Sequence, residues 1–101
     1  MTPAYLVVES QVSDPEAFKA YMAAAPAAAK AFGGEYLARG GRMHVLEGDW
    51  TPPRLTVMRY PSLEAAKAMY NSPSYTAARA LRAGATAMFN MVLVEGVELP
   101  P

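Results

Sequence analysis

The sequence predicts an α+β fold with the order β-α-β-β-α-β, in which the helices lie on one face of an antiparallel sheet. Four short segments rich in β-branched and aromatic residues recur along the chain. Apolar residues at helical spacing separate the first segment from the second and the third from the fourth. With 101 residues, the chain is expected to form a single domain over residues 1–101.

The first strand is predicted at Tyr5 to Val12, because YLVVESQV is too short for a helix before Asp14-Pro15 interrupts it. Asp14 suits an N-cap, and Pro15 suits the first helical position. The helix is expected to end at Gly33-Gly34. Its apolar stripe consists of Phe18, Tyr21, Met22, Ala25, Ala29 and Phe32.

Pro26 lies inside this predicted helix. It lacks the N–H that would donate to the carbonyl of Met22, and it disfavours helical geometry at Ala25. A kink, or a break into two shorter helices, is therefore expected there.

The next region contains five of the seven glycines, between Gly33 and Gly48. Two alternating segments, Glu35 to Arg39 and Met43 to Glu47, flank Gly40-Gly41, which predicts a hairpin or one strand bent by a bulge. A further strand is predicted at Leu55 to Tyr60 (LTVMRY).

The second helical region is predicted to be broken in two. Ser62 can cap a short helix, and Ser72-Pro73 repeats the pattern of a capping oxygen followed by proline. The second piece is expected to run from Pro73 to about Ala83 and to stop at Gly84.

The last strand, Ala87 to Glu95 (AMFNMVLVE), is apolar on both alternating sets apart from Asn90 and Glu95. Such a strand is expected to be covered on both faces. Because the helices cover only one face, a second copy of the chain is the simplest cover for the other, and a homodimer through the sheet face is predicted.

Composition excludes several classes of partner. Nine basic and nine acidic residues give no electrostatic footprint for nucleic acid or anionic lipid. No apolar run approaches the roughly 20 residues of a membrane helix, and the N-terminus lacks the features of a signal peptide. We therefore expect a soluble, cytoplasmic protein. The absence of cysteine excludes disulfides and zinc-thiolate sites.

Longer segments make the chain recognisable: DPEAFKAYMAAAPAAAKAFGGEYLARGG, then VLEGDWTPPRLTVMRYPSLEAAKAMYNSPSYTAARALR, then MVLVEG. In the order and spacing of these pieces, from about Tyr5 to Val97, the chain resembles the family of domains of unknown function numbered 1330. The resemblance implies a ferredoxin-like fold that dimerises through its sheets, as in the dimeric α/β-barrel superfamily. It implies no established reaction. Relatives by fold include cofactor-independent monooxygenases, small-ring isomerases and haem-degrading enzymes, but fold alone does not carry their chemistry over.

No metal or cofactor site is predicted. Catalytic zinc needs about three protein ligands, and His44 is the only histidine. The same count argues against haem, and the glycine-rich segment lacks the spacing of a phosphate cradle.

Five polar residues lie on segments that otherwise read as buried strands: Glu9, Arg39, Glu47, Arg59 and Asn90. Buried charges must be paired, because an unpaired one costs several kcal/mol. Either an ion-pair network across a dimer or the polar floor of a ligand cleft explains them.

The segment YNSPSYTAARALR offers the remaining candidates. Tyr75 and Arg82 share one helix face, so they have either a structural role or a role in binding an anionic or phenolic small molecule. Two functions stay open: a small-molecule binding protein or enzyme, with its cleft between the sheet and the broken second helix, and a non-catalytic dimeric scaffold or stress protein. The candidate ligand-binding residues are Arg39, Glu47, Tyr70, Asn71, Tyr75 and Arg82.

Overall fold

The computed structural model describes residues 2–98 and 100. It contains strands β1 (Ala4–Val12), β2 (Glu35–Arg39), β3 (Leu55–Tyr60) and β4 (Thr86–Glu95), and helices α1 (Pro15–Ala31), α2 (Leu63–Tyr70) and α3 (Pro73–Ala80). The sheet has the order β2-β3-β1-β4, and every neighbouring pair is antiparallel. The predicted α+β fold and its β-α-β-β-α-β order, with the second helical region divided in two, are confirmed.

Side-chain caps fix where the helices begin. The Asp14 carboxylate accepts the backbone N–H of Ala17 at 3.1 Å, and Ser62 Oγ accepts that of Ala65 at 3.0 Å. Ser72 Oγ accepts the N–H of Tyr75 at 3.2 Å. These bonds satisfy donors that the first helical turn leaves unpaired. The three predicted N-caps are therefore confirmed.

Helix α1 is one continuous helix, so the predicted break at Pro26 is wrong. Proline removes the N–H that would donate to the Met22 carbonyl. Arg39 reaches this carbonyl from β2, and its Nη2 donates to it at 2.8 Å. Buried residues on both sides of the proline, Phe18 and Ala28, hold the two halves against the rest of the molecule.

The segment Met43–Glu47 is not a strand, and this prediction is also wrong. Strand β2 pairs directly with β3, and residues 40–54 form a mostly exposed connection between them that contains no helix or strand. The Trp50 indole Nε1 donates to Glu9 on β1 at 3.0 Å. This hydrogen bond ties the connection to the middle of the sheet. An extended loop and a strand share the same alternating pattern, so the sequence did not separate them. Helix α3 also ends earlier than predicted, at Ala80, and turns follow it.

The two faces of the sheet differ. One face carries Leu6 and Val8 of β1 with Met58 of β3, and these side chains are buried against the helices. On the other face Val7 lies opposite both Val57 and Val92. None of the three helices in the described part of the chain covers this second face, and Val92 remains 62% exposed. We refer to the two as the covered face and the open face.

No helix in residues 2–98 has the length and apolar character needed to cross a membrane.

Candidate functional site

A narrow cleft lies between the covered face of the sheet and helices α1 and α3. About 520 Å³ of non-atom space lies in it, a figure that includes open solvent at its mouth, and about 40 Å³ of this space can hold the centre of a water molecule. Most of its wall is apolar, with leucine, valine, methionine, alanine and phenylalanine side chains. No aspartate or glutamate is among the described residues that line it. Its polar lining consists of Ser10, Tyr21, Tyr36, Arg39, Arg54, Thr56, Tyr60 and Tyr75.

Two tyrosine hydroxyls meet inside the cleft. Tyr21 projects from the apolar stripe of α1, and Tyr75 lies in the first turn of α3, where the Ser72 cap fixes its backbone. Their hydroxyl oxygens are 2.7 Å apart, and their rings meet edge to face at 6.2 Å. Burial raises the pKa of Tyr21 far above its usual value of 10.0, and the neighbouring Tyr75 raises it further. Tyr21 is therefore a neutral phenol over the whole physiological range.

Arg82 packs behind this tyrosine pair. Its guanidinium lies 3.7 Å from the centre of the Phe89 ring and 5.3 Å from that of Tyr21. Both are distances at which a cation is attracted to an aromatic face. Its Nε is buried and has no hydrogen-bond partner. The two ring faces thus contribute to holding this cation in place.

Two more arginines lie toward the open end of the cleft. The Arg39 guanidinium covers the ring of Tyr36 at 4.5 Å while it donates to Met22. Arg54 packs against Gly40, where a Cβ would lie 2.9 Å from the guanidinium carbon. Burial raises the pKa of Tyr36, and the positive charges of Arg39 and Arg54 partly oppose this rise. Both guanidinium groups are therefore close enough to interact electrostatically with the Tyr36 hydroxyl. The mouth of the cleft is therefore positively charged.

The predicted candidates do not all lie together. Arg39 and Tyr75 line the cleft, whereas Arg82 stands behind it. Tyr70 and Asn71 line a separate groove between α2 and β4, and Arg79 donates to the Tyr70 hydroxyl. Asn71 uses its side chain to donate to the carbonyl of Lys67 at the end of α2. Their part in ligand binding stays a prediction.

Glu47 lies on the exposed connection between β2 and β3, outside the cleft. The polar strand residues also divide. Glu9 accepts hydrogen bonds from Trp50 and Asn90, and Arg59 pairs with Glu35. These residues lie on the open face, opposite the cleft.

Of the eight polar residues that line the cleft, six were not selected as candidates from the sequence: Ser10, Tyr21, Tyr36, Arg54, Thr56 and Tyr60. Tyr21 was assigned to the apolar stripe of α1, because its ring is apolar and its position fits the helical spacing. A usable signal was the set of hydroxyl-bearing residues at covered-face positions, which consists of Ser10, Tyr36, Thr56 and Tyr60.

Across residues 2–98 and 100, no group of three or more histidine, aspartate or glutamate side chains is arranged to hold a metal ion.

Comparison with known proteins gives a family and a fold. The sequence profile described as a domain of unknown function (DUF1330) matches residues 3–97. The chain is similar to a protein of unknown function from Rhodopseudomonas palustris, with 20% identity, a TM-score of 0.73, and coverage of 96% of this chain and 84% of that one. No curated protein matches it in sequence.

Two further solved structures share the fold. One is a dimeric ferredoxin-like protein of unknown function from Thermobifida fusca, with 18% identity, a TM-score of 0.64, and coverage of 95% of this chain and 92% of that one. The other is SnoaB, a cofactor-independent oxygenase from Streptomyces nogalater, with 11% identity, a TM-score of 0.62, and coverage of 99% and 97%. The ferredoxin-like fold implied by the sequence is confirmed.

Proposed function

This chain belongs to the family described as a domain of unknown function (DUF1330), and we propose that it is a homodimeric protein that binds a small aromatic anion without a cofactor. The binding site is the cleft between the covered face of the sheet and helices α1 and α3. The charge of the cleft carries the proposal: two arginines and no carboxylate are among the described residues that line it.

The wall of the cleft carries side chains of the kind that contact aromatic rings. Tyr21, Tyr75 and Phe89 present ring edges and faces, and Met22, Met58 and Met91 supply adaptable apolar surface. Ligand sites are commonly concave, mostly apolar, and equipped with a few polar groups that fix orientation. Here those polar groups are cationic at the mouth and phenolic inside.

The mouth fits an anionic group. A planar guanidinium can donate two parallel hydrogen bonds to a carboxylate. Arg39 is exposed and Arg54 is half-buried, so an incoming anion meets them first. An anion that bonds Arg39 competes with the Met22 carbonyl, which is neutral and hence the weaker acceptor.

The homodimer is supported by the open face. Val92 and Val94 are 62% and 50% exposed and lie in one apolar patch with Val7 and Val57. A second copy that presents the same patch would cover it around a two-fold axis. One fold neighbour is described as dimeric, and another as a cofactor-independent oxygenase. At these identities they support the fold and carry no reaction over to this chain.

Binding is tested by isothermal titration and thermal shift with p-hydroxybenzoate, using benzyl alcohol as an uncharged probe of similar size. We expect p-hydroxybenzoate to bind more tightly and to stabilise the protein, by roughly 2.7 kcal/mol at 100 times its dissociation constant. Arg39→Gln and Arg54→Gln should each weaken its binding about tenfold, whereas Arg42→Gln, on the exposed connection, should not.

The opposing result is equally definite. If neither probe binds, or if both arginine variants bind p-hydroxybenzoate as the wild type does, the proposed site is wrong. A dimer that binds no aromatic anion would instead favour a non-catalytic scaffold.

A further inference from the structure

The Tyr21–Tyr75 hydroxyl pair has a property that binding alone does not require. Each phenol carries one proton, and only one of the two can donate across the 2.7 Å that separates their oxygens. The other proton must point elsewhere. The tyrosine that accepts this hydrogen bond keeps its own O–H available to donate into the cleft.

Arg82 sets this direction. A guanidinium has donors only, and its charge favours the side of a hydroxyl that carries the lone pairs. Arg82 lies against Tyr21, and its charge partly offsets the rise that burial causes in the pKa of that phenol. The Tyr21 oxygen therefore turns its lone pairs toward Arg82 and its proton toward Tyr75.

Tyr75 then accepts from Tyr21 and keeps its own proton free. Besides its bond with Tyr21, the Tyr75 hydroxyl donates to Met91 Sδ at 3.7 Å, and a thioether sulfur is a weak acceptor. Tyr75 is 2% exposed and lines the cleft, so its hydroxyl is shielded from bulk solvent and faces the proposed site. A buried donor without a strong acceptor is a feature that a ligand can satisfy.

We infer that Arg82, Tyr21 and Tyr75 form a directed hydrogen-bond relay, which donates from Tyr75 to an oxygen of the ligand. The inference rests on the proposed function and narrows its ligand class: an aromatic anion that carries a second oxygen, as a phenol, phenolate, enol or carbonyl, away from the group held by Arg39 and Arg54. Tyr75 is the residue that touches the ligand, and Tyr21 and Arg82 are positioning residues. Hydrogen bonds that follow one another in a buried network polarise each other, so each bond of the relay is strengthened by the others.

The relay is tested with two probes that differ in one group, p-hydroxybenzoate and p-methylbenzoate. Both carry the ring and the carboxylate, and an apolar wall alone would favour the methyl group. With the relay, the wild type should prefer the hydroxyl probe at least tenfold, which equals about 1.4 kcal/mol. Tyr75→Phe should remove this preference, and Tyr21→Phe should reduce it. The control Tyr5→Phe, on the open face of β1, should keep it.

A spectroscopic readout separates the relay from a merely structural role of these tyrosines. p-Nitrophenol has a visible absorption band only when it is ionised, and a donor aimed at its oxygen favours the ionised form. At a fixed pH near its midpoint in water, binding to the wild type should increase this band. Tyr75→Phe should abolish the increase, and Arg82→Met should diminish it.

The outcomes distinguish the two proposals. If the wild type binds both benzoates equally well, the relay is wrong and the proposed function stands. If it binds neither, both fail. A hydroxyl preference that persists in folded Tyr75→Phe, as judged by circular dichroism, also overturns the relay. Should Tyr75→Phe not fold, Tyr21→Phe decides, because an unchanged preference in that variant contradicts a relay through Tyr21.

Discussion

The two faces of the sheet differ in what covers their apolar side chains. On the covered face, Leu6, Val8 and Met58 pack against helices of the same chain, and the cleft lies within that packing. On the open face, Val7, Val57 and Val92 form a patch that no helix or strand of residues 2–98 covers.

The polar residues follow the same division. On the covered face they are phenols and arginines that contact one another around the cleft. On the open face, Glu9 and Arg59 have partners at the surface, Trp50 and Glu35, and leave the valine patch bare. One face is thus covered within a single chain and holds the candidate site, whereas the other is left open by the helices and strands of residues 2–98.

The largest expected effect comes from placing a charge on the open face. The wild type should have twice the 10.8 kDa mass of one chain by light scattering. Val92→Glu would bury a carboxylate from each copy in the two-fold contact, at a cost of several kcal/mol, and should give a single-chain mass. Ala77→Glu, on the exposed side of α3, should leave the dimer intact. A wild type of single-chain mass at micromolar concentration contradicts the dimer.

A second prediction tests how tightly the covered side is packed. In Gly34→Ala the new Cβ would lie 2.5 Å from Cε2 of the fully buried Tyr60 and 3.0 Å from the carbonyl oxygen of Ala29. Overpacking of this kind typically costs about 1–3 kcal/mol, which the urea midpoint will report.

Gly41→Ala is the matched control for this change. A Cβ at Gly41 would have no atom within 4 Å, and its φ is not positive. Its free energy of unfolding should stay the same or rise by up to about 1 kcal/mol, because alanine restricts the unfolded chain. Equal losses in the two variants would show that the contact with Tyr60 is not the cause.

The third prediction concerns the cation behind the cleft. Arg82→Met keeps much of the side-chain volume but loses the attraction to the rings of Phe89 and Tyr21. We expect a loss of about 0.5–2 kcal/mol in the free energy of unfolding. Arg79→Met removes a similar contact, to the exposed ring of Tyr70, and should cost less. An Arg82→Met protein of wild-type stability would contradict a structural contribution from these ring contacts.

The sequence predicted those parts of the fold that depend on local chemistry. Asp14, Ser62 and Ser72 each stand directly before a helix. Each capping bond joins residues that are only three positions apart in the sequence. Short runs of β-branched and apolar residues likewise located β1, β3 and β4. Such signals are contained within one short segment, which is why they can be recognised without the structure.

The remaining features depend on residues that are distant in sequence. The hydroxyls of Tyr21 and Tyr75 meet across 54 positions. The break predicted at Pro26 does not occur in a helix whose Met22 carbonyl receives a donor from another element. No local pattern indicates either contact. The candidate site was therefore predicted only in part, through Arg39 and Tyr75.

The smallest expected effect tests one of these distant contacts. If Arg39 replaces the donor that Pro26 lacks, the two residues are coupled. In Pro26→Ala the alanine N–H can donate to Met22, so the carbonyl no longer depends on Arg39. Arg39→Ala should then cost less in the Pro26→Ala background than in the wild type. For an exposed hydrogen bond we expect a coupling energy of about 0.5–1 kcal/mol.

A double-mutant cycle from urea midpoints measures this coupling, and a second cycle supplies the control. Arg54 also lines the cleft, but the side chain that donates to the Met22 carbonyl is Arg39. Arg54→Ala and Pro26→Ala should therefore be additive within the usual scatter of about 0.3–0.5 kcal/mol. If the Arg39 cycle were additive as well, the guanidinium would contribute nothing through the Met22 carbonyl. The continuity of α1 would then rest on the burial of Phe18 and Ala28 alone.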